Sequence, residues 1–166
     1  MKTILNRKSI RKYKDMKISD EIVEELLRTG MAAPSAGNEQ PWEFIVLRDK
    51  MLMKKITEVH PYSKMLLDAN VAIVVCGDES KEIYKGFWVQ DCSAATENIL
   101  LAAEDNGLGA VWLGVYPIED RVKGIKEILG LPAGVIPLSI IPIGYPNEEK
   151  KPADRFDKAR IHYDKW

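Results

Sequence analysis

The chain is poor in the side chains that usually carry metal or nucleophilic chemistry. It has two cysteines and two histidines among 166 residues. Cys76 and Cys92 form no CxxC pair and sit in apolar or small-residue segments, which reads as reduced core thiols. His60 and His162 lie far apart and have no HExxH setting, so a metal centre is not expected. Neither sign of charge prevails: 24 basic residues stand against 25 acidic ones. That balance argues against binding nucleic acid or an anionic membrane by bulk charge. No apolar run reaches the ~18 residues of a membrane span. The opening MKTILNRKSIRKYK is too interrupted by charge for a signal peptide, which makes the cytoplasm the expected location. There is no GxSxG elbow, no P-loop and no Ser/His/Asp arrangement. The glycine-rich NGLGAVWLG departs from GxGxxG and runs from helix to strand, the reverse of a dinucleotide-binding turn. Cofactor-like loops without a cluster of catalytic side chains point to a cofactor that does the chemistry.

What is present has the composition of one globular domain over residues 1–166. Ser19 is placed to cap a helix through SDEIVEELLRTGMAA, with Ile22, Val23, Leu26 and Leu27 on one face. Pro34 closes it, and PSAGNEQP reads as a loop. Glu43 to Arg48 reads as a strand. Asp49 then caps a helix carrying Leu52, Ile56 and Val59. A short helix at Ser63 to Leu67 leads into VAIVVC, residues 71–76, a continuous β-branched run suited to a buried strand. Phe87 to Asn106 is the longest predicted helix, closed by Gly107. Its small residues, among them Cys92, Ala94, Ala95 and Ala103, let another element approach closely. Ala110 to Leu113 reads as a third strand, Ile118 to Leu129 as a helix, and Leu138 to Ile143 as a fourth strand. The sum is three layers, helices packed about a four-stranded sheet. The tail 145–166 is too polar for a core of its own and ends in Tyr163 and Trp166, rings suited to docking on a partner surface.

Two constellations could hold a ligand. Arg7-Lys8-Ser9-Ile10-Arg11 offers three cations and a hydroxyl to a phosphate, although a solvated basic terminus has the same composition. Ala33 to Trp42 is a loop whose small residues let a flat ring approach its backbone, while Ser35, Asn38 and Gln40 supply polar groups. RKSIRKY followed by APSAGNEQPWEF resembles the flavin-dependent nitroreductase family. Further matches follow in the same order: SKMLLDANVAIVV, WVQDCSAATENILLAAEDNGLGAVWLG, LGLPAGVIPLSIIPIGYP and RFDKARIHYDKW. The similarity runs over nearly the whole chain from Asn6.

The resemblance implies an α+β, three-layer α/β/α fold with a mostly antiparallel sheet. It also implies a homodimer with FMN at its interface, NAD(P)H as co-substrate and the tail extending onto the partner. Arg7, Lys8 and Ser9 would hold the phosphate and ribityl chain, and Arg11 would lie near flavin N1. Pro34, Ser35, Ala36 and Asn38 would line the ring from the other subunit. Trp112, Leu113 and Gly114 would turn their backbone to the flavin, with the Gly114 amide toward N5. Lys64 matches a lysine near the cofactor, and Arg155 a phosphate-binding arginine, with Arg160 as its alternative. Pro61 stands where some relatives carry an asparagine, and Ala153 where they carry a second basic residue, a loss that Lys151 or Arg160 would offset. The short segment from His60 to Lys64 leaves no room for the lid of the deiodinases. The activity implied is reduction of nitroaromatics, quinones or free flavins by hydride transfer in two halves, with no side chain as general acid. A dedicated reductase of one metabolite and a flavin-binding module without turnover are the alternatives. No fingerprint distinguishes NADH from NADPH.

Overall fold

Val71–Asp78 (β2) is the middle of the sheet, and its alternation assigns the two faces. The computed structural model describes every residue from Met1 to Trp166. Strand β2 pairs antiparallel with Trp42–Leu47 (β1) on one side and with Val135–Gly144 (β5) on the other. Because successive side chains point to opposite faces, Val71, Ile73 and Val75 enter one core and Ala72, Val74 and Cys76 the other. The helices Asp20–Met31 (α2) and Trp88–Asp105 (α4) contribute to the first core. Lys50–Val59 (α3) and Glu119–Leu129 (α5) contribute to the second. The uninterrupted apolar run of β2 thus follows from helices on both faces, although the sheet is antiparallel. Both cysteines are free and buried, and burial pushes the Cys76 thiol up to about 12 and the Cys92 thiol higher still.

The expected caps form. Ser19 Oγ accepts from the Ile22 N–H, and Asp49 Oδ1 accepts from Met51 and Leu52. Gly130 ends α5 at φ +66°, and Gly107 follows α4 at +68°. Two expectations change, and one helix is added that the sequence reading did not place. The N-terminus forms a short helix, Lys2–Asn6 (α1). The sheet has five strands, not four. The single third strand over Ala110 to Leu113 is two short ones, Gly109–Ala110 (β3) and Leu113–Gly114 (β4), both on β5. Their partners are Gly144 and Ile143 for β3, and Ile140 and Ser139 for β4, so the break at Val111 and Trp112 faces Ile141 and Pro142. A proline has no N–H to offer a ladder, and Pro142 lies within that stretch. The break turns the Trp112 segment out of the sheet, and there a cavity opens. No helix is long and apolar enough to cross a membrane.

Candidate functional site

A cavity of about 470 Å³ opens beside the broken strand, and Arg11, Lys64, Trp112, Leu113 and Gly114 all line it. The structure therefore brings five of the expected residues together from three parts of the chain. Its other lining residues include His60, Pro61, Tyr62 and Arg121, and none is acidic. Gly114 matters for its missing side chain: a Cβ built there meets no atom within 4 Å. A flat ring can approach that backbone closely. The Gly114 carbonyl accepts from Arg121 Nη1 at 2.9 Å and lies 3.0 Å from His60 Nε2. A carbonyl only accepts, so His60 carries its proton on Nε2, while its Nδ1 accepts from the Tyr62 N–H at 3.3 Å. Burial lowers the His60 pKa and the Arg121 charge lowers it further, against the Gly114 bond, so the ring stays neutral. His60 and Arg121 escaped the sequence reading. The only signal was His60's place four residues before Lys64.

Arg7, Lys8 and Ser9 lie outside this cavity's lining. Arg7 pairs with Glu97 at 3.2 Å and Lys8 with Glu104 at 2.9 Å, both on α4. Ser9 bridges to Ala110, and its carbonyl accepts from Lys150 Nζ at 2.8 Å. The Arg11 N–H donates to Glu148, which also pairs with Lys150. The cation that reaches this segment on the same chain is thus Lys150. Arg155 lies on the exposed tail in a separate cavity with Ile4, Leu5 and Asn6 of α1.

Pro34, Ser35 and Ala36 line yet another cavity, of about 370 Å³, with Phe87 and Asp91. The loop that carries them is tightly wound: Gly37, Asn38 and Gln40 all have positive φ, at +54°, +58° and +49°. Ser35 Oγ accepts from the Gln40 N–H and Asn38 Oδ1 from the Gln40 amide, bonds that hold this strained turn. On one chain this loop and the Trp112 wall belong to different cavities.

A sequence profile described as the nitroreductase family matches residues 4–61 and 57–145. The chain belongs to the nitroreductase family. A Methanothermobacter thermautotrophicus protein, provisionally named an NADH dehydrogenase/NAD(P)H nitroreductase, is 54% identical over 166 residues, covering 100% of this chain and 87% of its own. The crystal structure of a provisionally named NADH oxidase of Clostridium acetobutylicum superposes with a TM-score of 0.95 at 50% identity, covering 99% of each chain. An FMN-dependent nitroreductase of Clostridium difficile gives 0.92 at 32% identity over 100% of both chains. Its nitroreductase fold is the α+β arrangement that the sequence motifs implied.

Within this fold Asp91 of α4 is a further residue that the sequence did not announce. It is buried, and its Oδ1 accepts from the Ala36 N–H at 3.1 Å. Its Oδ2 and the Oε1 of Glu39 are both buried without a partner. Burial raises the Asp91 pKa, and the neighbouring Glu39 and Glu82 carboxylates add to that. Glu39, although burial opposes it, is held below the usual carboxylate range by the N–H groups of Tyr84 and Ile83. A proton on Asp91, shared toward Glu39, would satisfy both orphan oxygens. Because the folded value lies above the ordinary 3.8, stability from this group is full below 3.8 and is lost as pH rises through the raised value. Asp91→Asn supplies a donor that does not titrate. Melting curves taken upward from about pH 4 should show the variant gaining on the parent as pH rises. Asp91→Ala should lose about 1–3 kcal/mol by orphaning the Ala36 N–H. Parallel pH profiles for parent and Asn variant would refute the shared proton.

Proposed function

We propose that this chain works as a homodimer that binds FMN and uses NAD(P)H to reduce small acceptors such as nitroaromatics, quinones and free flavins. The observation that carries the reading is the Trp112–Gly114 wall, whose open Gly114 backbone faces a cavity lined by cations and no acid. FMN, when bound, supplies hydride acceptance from the nicotinamide and two-electron delivery to the acceptor. The protein contributes position and charge. Trp112, Leu113 and Gly114 present the wall, with the Gly114 amide as the donor for the flavin N5. Arg11 and Lys64 bring positive charge to the ring end. Arg7, Lys8, Ser9 and Arg155 hold the phosphate and ribityl chain. Pro34, Ser35, Ala36 and Asn38 of the partner subunit cover the other side of the ring. The separation of the two cavities on one chain fits a site that is complete only when two copies meet. For a nitro compound the balance is ArNO2 + NAD(P)H + H⁺ → ArNO + NAD(P)⁺ + H2O, with solvent able to deliver protons to an open site.

Anaerobic bleaching of the yellow protein by NADH or NADPH, and recovery of colour on adding a nitroaromatic, tests the whole reading. A protein that binds FMN but bleaches with neither nucleotide is a flavin-binding module. Failure to take up FMN at all refutes the assignment.

Arg11 has no acid partner among the ion pairs of the chain. Its guanidinium therefore remains available to the negative charge that two-electron reduction adds at N1. Such a charge pair at a partly wet site is worth on the order of 1–3 kcal/mol. Arg11→Gln should lower the flavin potential by ~20–60 mV, since ~30 mV is about 1.4 kcal/mol for two electrons. Arg155→Ala should weaken FMN affinity and leave the potential nearly unchanged, because a phosphate keeps its charge in both redox states. Spectroelectrochemical titration separates the two, and a shift with Arg155 alone would displace Arg11 from the ring.

A further inference from the structure

Of the three Lys and Arg side chains that line the cavity, Arg121 is the one that no phosphate or flavin role absorbs. It stands in the first turn of α5 and lines the cavity beside His60 and Tyr62. Two contacts fix it: Nη1 donates to the Gly114 carbonyl at 2.9 Å, and the guanidinium sits 5.6 Å from the centre of the Tyr62 ring. Such stacking orients a guanidinium without consuming its donors. Of its five N–H donors one is spent on the protein. None of the seven ion pairs includes it, although Glu119 and Asp120 precede it on the same helix. His60, which shares the Gly114 carbonyl, is neutral and adds no charge of its own. Tyr62 is 70% exposed and gives the cavity mouth a flat apolar surface. A fixed planar fork beside a flat ring is the arrangement that receives an aromatic carboxylate: the fork takes the two oxygens and the ring takes the arene.

We infer that Arg121 is a specificity-determining residue of the acceptor site, and that the site selects planar aromatic acceptors bearing a carboxylate over their neutral counterparts. This rests on the reading of the cavity as the place where acceptor meets cofactor. The 2′-phosphate of NADPH has the same anionic chemistry, so the experiment follows donor and acceptor separately.

The test compares 4-nitrobenzoate with 4-nitrobenzamide, nearly equal in shape but different in charge, in the holoprotein and its Arg121→Gln and Arg121→Lys variants. Arg121→Gln should raise KM for the benzoate on the order of 10-fold, the effect of losing a charge-assisted pair. KM for the amide should stay within about twofold, and kcat should move little for either. Arg121→Lys should recover part of the benzoate affinity, since it keeps the charge and loses the fork. Benzoate itself, titrated into the oxidised protein and followed by tryptophan fluorescence, should show the same rise in Kd without any turnover. That titration still reports on Arg121 if neither nitro compound is reduced, an outcome that strikes the proposed activity instead. Equal changes for benzoate and amide, or no change for either, overturn the inference. So does an effect confined to the NADPH-to-NADH ratio, which would put the recognised anion on the donor.

Discussion

Gly114→Val should abolish retention of FMN while leaving the fold intact. No positive φ is required at Gly114, and a Cβ there meets nothing within 4 Å, so the protein itself has room for the branch. Valine also suits a strand position. The space it takes is the cavity beside Trp112 and Leu113, where the flat ring is placed. Overfilling a fitted space costs about 1–3 kcal/mol or more, and each 1.4 kcal/mol is about tenfold in affinity. A loss of roughly 10- to 100-fold is expected by fluorescence titration with FMN, enough to strip the cofactor on gel filtration. The companion variant is Gly109→Ala, five residues earlier. There a Cβ falls 2.5 Å from Ile10 Cγ2, inside the packing of the N-terminal segment. That change should destabilise the fold and shed FMN only as a consequence. Thermal melting of the cofactor-free proteins distinguishes the two. Unchanged FMN affinity in Gly114→Val would move the flavin away from this wall.

The parts of this molecule that the sequence announced are those written locally. Ser19 and Asp49 precede amphipathic stretches, and each caps the helix that follows because the cap is a contact within four residues. The β-branched run at Val71 has one conformation that buries all of it. The split of the third strand was not legible, since its cause lies thirty residues away in the placement of Pro142 on β5. The site divides in the same way. Arg11, Lys64 and the Trp112–Gly114 wall stood in motifs resembling a known family, and the fold gathers them around one cavity. His60, Asp91, Arg121 and Lys150 matter through what they meet: the Gly114 carbonyl, the Ala36 amide, the Tyr62 ring and the Ser9 carbonyl. Those partners lie 54 to 141 residues away in every case, and no local pattern encodes such a meeting. Arg121 was hidden in a second way as well, as one charge among several at the start of a helix.

Deletion of the chain from Pro152 onward should leave a folded core that neither dimerises tightly nor keeps its flavin. From Lys151 to Trp166 every residue is exposed. The hydrogen bonds of this stretch are local ones: Arg160 N–H to the Asp157 carbonyl, Ile161 to Lys158 and Lys165 to Tyr163. His162 stacks on Trp166 with ring centres 4.2 Å apart, which stiffens the end without tying it to the body. Removing such a segment takes nothing from either core. Yet Phe156, Tyr163 and Trp166 are 76%, 78% and 101% exposed, an unusual amount of aromatic surface to leave in water. Burying a large apolar side chain is worth about 1.5–3 kcal/mol, so three rings laid on a second copy supply enough to hold a dimer together. Arg155 travels with them and would bring its charge to the phosphate of the shared site. Loss of the tail should therefore raise the dimer dissociation constant by at least ~100-fold, read by sedimentation at several concentrations. FMN and dimer should also be linked, because a ligand bound only by the assembled state stabilises that state by mass action. Added FMN should tighten the full-length dimer and leave the truncated chain where it was. Circular dichroism of the truncated chain should keep its helical signal, with α1 to α5 all present. A truncated protein that sediments as the parent dimer and elutes yellow would mean that the aromatic tail serves something other than the partner subunit.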